Sequence, residues 1–177
     1  GLIPAWAKEA AIGAKMINAR AETVTEKPAF RSAFKSRRCL IPADGFYEWK
    51  AQGKAKQPYR IVLGDPAHPR PFAIAGLWER WRDPAAAKDA PPLETFTIIT
   101  TEAAAAIAPI HHRMPVMLTR REDLETWLDA AQPADAALAL LKPYAANDIA
   151  AAAVSLKVNN ARYDGPDCIT LADAVAV

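Results

Sequence analysis

Phe46-Tyr47-Glu48-Trp49-Lys50, then Ala51-Gln52-Gly53-Lys54, then Tyr59-Arg60-Ile61-Val62-Leu63 is the stretch that decides the fold. Residues 46–50 alternate aromatic with polar side chains, the period of a strand with two different faces. The Gln-Gly-Lys step is a turn signal, and residues 59–63 are rich in β-branched and aromatic types. Together they predict a β-hairpin. Pro58 lacks an N–H, so it is expected at the edge or start of the second strand.

Working outward, residues 38–41 read as a short strand, and 28–37 as a short helix. Pro28 suits its first turn, and Phe30, Ala33 and Phe34 fall on one face. Lys27, Arg31 and Lys35 form a basic stripe on the other face, running on into Arg37 and Arg38. Beyond the hairpin, 65–71 is a proline-rich loop, 72–78 a buried strand, 83–94 a second loop and 95–100 a β-branched strand. An alanine helix is expected over 102–108, stopped by Pro109, and a strand over 115–118. Thr119-Arg120-Arg121-Glu122 reads as a capping box opening a helix to Ala131. A further helix covers 134–141, and 154–158 and 169–171 look like strands. Strands and short helices do not alternate as βαβ units. The fold class is therefore α+β, with a central barrel-like mixed β-sheet and short peripheral helices in a single domain.

Composition sets the outer limits. The chain has 177 residues, 51% hydrophobic and 24% charged, as in an ordinary globular protein. Its net charge is +2, so any nucleic-acid partner must be held by a local basic face. The two cysteines, Cys39 and Cys168, form no paired motif, which argues against a disulfide scaffold and fits a reducing, cytoplasmic setting. No apolar run reaches membrane-spanning length, so no membrane partner is expected. The opening Gly1-Leu2-Ile3-Pro4-Ala5-Trp6 reads like the inside of a domain, and an N-terminal part of the domain is expected to precede it.

Several residues could carry chemistry. Glu48 sits between two large aromatics, and burial would raise its pKa into a range useful for proton transfer. A surface glutamate on a half-exposed strand is the plain alternative. His111 and His112 are adjacent, so in extended chain only one can face a given pocket. Their spacing is wrong for a metal pair, and with three histidines in the chain no metal or other cofactor is expected. One of the two suits proton transfer, with one packed and one exposed histidine as the alternative. Asn18, Arg20 and Glu22 share a face if extended; they could hold a phosphate or sugar oxygen, or form a structural ladder. Trp6, Trp49, Trp78 and Trp81 are stacking platforms for bases or simply core. Cys39, in an apolar strand, reads as an inert buried thiol.

In this order the blocks become specific. Gly1–Trp6, Asn18-Ala19-Arg20-Ala21-Glu22-Thr23, Pro42-Ala43-Asp44-Gly45-Phe46-Tyr47-Glu48-Trp49, Ala75-Gly76-Leu77-Trp78-Glu79, Thr95-Phe96-Thr97-Ile98-Ile99-Thr100-Thr101 and Ile110-His111-His112-Arg113-Met114-Pro115 resemble the SOS response-associated peptidase family over nearly the whole chain. The resemblance implies an abasic-site sensor. Its N-terminal cysteine, exposed by self-removal of the initiator Met, cross-links to abasic sites in single-stranded DNA. The cysteine's amine condenses with the sugar aldehyde and its thiol closes a thiazolidine; that cysteine is not among the residues printed. By the same resemblance Asn18, Glu48 and His111 are the catalytic residues, and Trp6, Arg20, Trp49, Thr100 and Arg113 contact DNA. Asn18, Glu48 and His111 should then converge on one pocket, with His112 turned away. A monomer acting on single-stranded DNA is expected. Two alternatives stay open: a non-covalent binder of single-stranded or modified DNA, and a genuine peptidase.

Overall fold

The computed structural model describes residues 1–145 and 147–172; Ala146 and positions 173–177 of the single domain expected over 1–177 lie outside the described residues. In chain order the elements are β1 (Asn18–Arg20), α1 (Arg31–Ser36), β2 (Arg38–Ala43), β3 (Phe46–Gln52), β4 (Ala55–Asp65), β5 (His68–Arg70), β6 (Phe72–Trp81), β7 (Leu93–Glu102), β8 (Arg113–Pro115), β9 (Met117–Leu118), α2 (Arg121–Leu128), α3 (Ala134–Leu138) and β10 (Ile149–Ala153). Strands dominate and the helices are short, so the α+β class holds. The chain alternates between two compact units. One gathers Gly1–Pro42, Ala73–Glu102 and Pro115–Pro143; the other gathers Ala43–Phe72, Ala103–Met114 and Tyr144–Val177.

The first unit is built on a mixed sheet in the order β1-β7-β6-β2, with β9 beside β6. β1 runs parallel to β7, with Arg20 opposite Thr100, and β6 pairs antiparallel with β7. Strand alternation decides the core. Ala75, Leu77, Thr97 and Ile99 face inward and are buried, whereas Trp78, Arg80, Glu94 and Phe96 face out. Leu77 and Ile99 join Leu2, Val24, Phe34, Val116 and Trp127 in one apolar cluster. The basic stripe is shorter than expected. Lys27, Arg31 and Lys35 are exposed, but Arg38 is buried and Arg37 is paired with Glu79 at 2.8 Å. Arg38 donates to the carbonyls of Phe34 (2.9 Å), Lys35 (3.4 Å), Trp127 (2.5 Å) and Asp129 (2.5 Å). It thereby serves the carbonyls at the ends of both α1 and α2.

The second unit carries the hairpin. β4 lies between β3 and β10, all antiparallel, with β5 also on β4. Gln52 pairs with Ala55, which leaves Gly53-Lys54 as a two-residue loop. Gly53 has φ +60°, the left-handed value that the first position of such a loop demands. Pro58 is not at a strand end: β4 begins at Ala55 and Pro58 pairs with Trp49. Its carbonyl still accepts from the Val154 amide at 3.0 Å. The donor it lacks is replaced by the Gln57 side-chain amide, which reaches the Val154 carbonyl at 2.9 Å. Among the described residues, Ile61, Val62, Leu63, Phe72, Ile107, Met114 and Val154 are this unit's buried apolar residues.

Other expectations need correction. The loop at 65–71 contains β5, folded back by a turn at Pro66-Ala67. Residues 102–108 form no helix. β7 takes Glu102, and a run of turns follows, including bonds from Ala108 to Ala104 and from His111 to Ile107. Pro109 removes the donor that would have continued a helix there. The strand over 115–118 is split between β8 and β9. Thr119 caps nothing: Arg120 precedes α2 without a side-chain cap, and Glu122 pairs with Arg120. The helices expected to reach Ala131 and Leu141 end at Leu128 and Leu138, with turns beyond. The late strand lies at 149–153 rather than 154–158. Leu156–Asn159 and Pro166–Ile169 are single 3-10 turns, and Val154 and Leu171 make one isolated bridge.

Candidate nucleic-acid interface and proton-transfer site

An open cleft of about 420 Å³ in the second unit is lined by Glu48, Trp49, Lys56, His111 and Asn159. Glu48 and Trp49 are consecutive in β3, where side chains alternate, yet both reach the cleft. β3 is the last strand in the order β10-β4-β3, so the cleft lies over an edge rather than a face. Glu48 is largely buried, with its side chain 20% exposed, and Oε1 stands 3.4 Å from Nδ1 of His111. Burial pushes the Glu48 carboxyl above its ordinary value. The neighbouring imidazole and the Trp49 backbone amide pull the other way but do not cancel it.

His111 reaches this place because the turns of 103–112 fold the chain back, with the Ala103 amide bonded to the His112 carbonyl at 3.0 Å. The Arg113 backbone brackets its Nδ1: the amide N–H lies at 3.2 Å and the carbonyl oxygen at 3.0 Å. A protonated Nδ1 can donate to that carbonyl or to Glu48. A bare Nδ1 can accept from the amide. Both protonation states have a partner, which is what a group that takes and returns a proton requires.

Trp49 is half-buried, and its indole N–H donates to Oδ1 of Asn159 at 2.7 Å. Lys56 extends from the outer part of the hairpin and is exposed. Neither Lys56 nor Asn159 is singled out by the sequence. The hairpin register alone places Lys56, opposite Ala51. Asn159 comes from a 3-10 turn 110 residues from Trp49, and no local signal announces it.

His112 does not line the cleft, but neither is it turned away from its neighbour. The two rings lie 4.6 Å apart and tilted by 39°. Opposite-facing side chains require extended backbone, and here His111 directly follows a run of turns and His112 sits in a bend.

The remaining candidates divide by unit. Arg113 is in the second unit, partly exposed. In the first unit Asn18 and Arg20 are exposed on β1. Glu22 leaves the strand in a 3-10 turn, so the three do not form one ladder. Thr100, opposite Arg20, is buried and donates its hydroxyl to the Ala19 carbonyl at 3.4 Å. Trp6 is 60% exposed and shares a shallow pocket with Lys8, Glu9 and Lys15, an exposed ring beside two cations and one anion. Trp81 is core, its indole bonded to the Ala7 carbonyl at 2.7 Å, and Trp78 lies under the Arg80 guanidinium. Burial pushes the Cys39 thiol up to about 11. Among the described residues no group of three or more His, Cys, Asp or Glu could hold a metal ion, and no helix is long and apolar enough to cross a membrane.

The family described as SOS response associated peptidase matches residues 1–161. Abasic site processing protein YoqW of Bacillus subtilis is 48% identical over 171 residues, covering 96% of this chain and 73% of that protein. Abasic site processing protein HMCES of Gallus gallus is 38% identical over 189 residues, covering 96% of this chain and 55% of its own length. A crystal structure of a protein from Bacteroides thetaiotaomicron matches with a TM-score of 0.83 at 33% identity, over 97% of this chain and 74% of that one.

Proposed function

Because this chain belongs to the SOS response-associated peptidase family, we propose that it processes abasic sites in DNA, with Glu48 and His111 as the proton-transfer pair. The observation that carries the reading is the Glu48 carboxyl, largely buried and 3.4 Å from an imidazole nitrogen, at the wall of an open cleft.

An abasic deoxyribose in its open form presents an aldehyde. The covalent part of the proposal has the amine of an N-terminal cysteine in the full-length protein add to that carbon. The resulting carbinolamine must lose its hydroxyl as water, which needs a proton at the leaving oxygen. Glu48, held protonated to a higher pH than an ordinary carboxyl, supplies it. The thiol then adds across the C=N bond: sulfur bonds to carbon, nitrogen takes the proton, and a thiazolidine ring closes. His111 serves ring opening and proton return. Asn18 positions the terminus or the sugar. Arg20 and Arg113 take backbone phosphates, Thr100 supports the strand beside Arg20 rather than donating to a phosphate itself, and Trp6 and Trp49 stack on bases of a single strand. The peptidase label is read as self-removal of the initiator Met rather than cleavage of other proteins. A monomer in the cytoplasm, drawn to the nucleoid by DNA, completes the reading.

The test uses full-length protein and a single-stranded oligonucleotide carrying one abasic site. Cross-link yield against time on a denaturing gel, with and without borohydride, is compared with an intact oligonucleotide. Cross-linking confined to the abasic strand is expected. Equal non-covalent binding of both strands with nothing trapped would overturn the proposal in favour of a plain single-strand binder.

A further inference from the structure

The cleft is closed on one side by a residue that no motif contains. Asn159 uses both ends of its amide. Oδ1 accepts from the Trp49 indole at 2.7 Å, and Nδ2 donates to the Lys56 carbonyl at 3.3 Å. One side chain thus ties the indole on β3 to the backbone of β4 across the outer part of the hairpin. Asn159 is itself held. It ends a 3-10 turn (Leu156–Asn159) whose first turn is capped by Ser155 accepting from the Lys157 amide. The Lys157 ammonium pairs with Asp167 and lies 5.3 Å from the centre of the Tyr163 ring, and the Tyr163 hydroxyl bonds to the same Asp167. These contacts brace the turn from below.

An indole has one N–H, and a tryptophan on an edge strand has two soft side-chain torsions. Bonding that N–H to a fixed acceptor removes most of this freedom before any ligand arrives. The ring then stands beside Glu48 in one orientation. We propose that Asn159 is a positioning residue for nucleic-acid recognition: it fixes Trp49 as a preset stacking face for a base next to the reacting sugar. This rests on the abasic-site reading above. Asn159 does not touch the reacting atoms; it acts through Trp49.

A double-mutant cycle on the full chain tests this. The variants are Asn159→Ala, Trp49→Phe and the pair together. The probe is a single-stranded oligonucleotide with one abasic site. Asn159→Ala should weaken its binding about two- to tenfold, the worth of one hydrogen bond. In the Trp49→Phe background, which has no N–H to hold, the same change should cost less than about twofold. The second arm needs no DNA. Trp49 emission, isolated as wild type minus Trp49→Phe, should become more accessible to acrylamide quenching in Asn159→Ala. An Asn159→Ala penalty equally large in the Trp49→Phe background would overturn the proposal and mark Asn159 as merely structural. Unchanged Trp49 quenching would also overturn it. If wild-type protein ignores the abasic oligonucleotide, the function reading above fails, while the quenching arm still decides whether Asn159 holds Trp49.

Discussion

Arg38 in one unit and Glu48 in the other are both charged side chains drawn out of water, and they end in opposite situations. The Arg38 guanidinium spends its donors on four backbone carbonyls at the ends of α1 and α2. Those carbonyls do not titrate. The Glu48 carboxyl is matched mainly with another titratable group, at the wall of a cleft that solvent and ligand can enter. The first arrangement is complete and serves the fold. The second is left unfinished: burial makes ionising Glu48 costly, and the nearby imidazole does not fully offset that cost. Burial alone therefore does not mark a functional charge. What marks it is burial with a partner that can also titrate.

The largest effect should come from breaking the complete arrangement. Arg38→Ala leaves several carbonyls at helix ends without donors and should cost about 3 kcal/mol or more of stability. A urea midpoint shifted by less than the equivalent of about 1 kcal/mol would show that Arg38 is not the clamp described.

Glu48→Gln should do the reverse. Loss of a general acid–base slows abasic-site processing by about a hundredfold or more, while binding of the abasic oligonucleotide stays within about twofold. The stability sign also follows. A folded pKa above the unfolded one means stability present at low pH and lost as pH rises through the folded value. Wild type should therefore lose Tm relative to Glu48→Gln as pH is raised from about 4 to 7. A variant that lost binding but kept its rate, or a wild-type Tm that rose relative to the variant's with rising pH, would reverse the assignment.

Arg20→Ala probes the exposed cation on β1. It should lower the slope of log K against log salt by about one unit, measured on the same oligonucleotide across a salt series. An unchanged slope removes Arg20 from the phosphate contacts.

Cys39→Ser should change least. With the thiol pushed up to about 11, only on the order of one molecule in a thousand is thiolate at pH 8. The substitution should leave processing within about twofold, and a tenfold loss would give Cys39 a role that its environment argues against.

The comparison also explains which readings of the chain succeeded. The hairpin, its Gly53 turn and the strands at 72–78 and 95–100 are local patterns, and they appear in the structure as read. The two faces expected of 46–50 do not: all five residues are half-buried, and Glu48 and Trp49 line one cleft. The helix expected over 102–108 is absent because an alanine-rich stretch carries little periodicity and Pro109 cannot continue it. The strand expected over 154–158 followed the alternation of Val154, Leu156 and Val158, but the ladder with β4 forms over the alanine-rich residues 149–153 instead. Arg37 and Arg38 read as a continuing surface stripe because one-dimensional charge runs cannot say which members turn inward to serve carbonyls.

By itself the sequence determined the strand-rich α+β class, the hairpin and its turn, and the motif blocks that place the chain in its family. Those depend on side-chain period, on glycine's access to positive φ, and on residue order, all of which are properties of short stretches. Only the tertiary structure decided that Glu48 and His111 face each other at 3.4 Å, that Arg38 reaches the carbonyls of Trp127 and Asp129, and that Asn159 holds Trp49 from 110 residues away. These are meetings between stretches distant in the chain. Their geometry is set by how sheets and turns pack, and no local pattern carries the distance between two side chains until packing has brought them together.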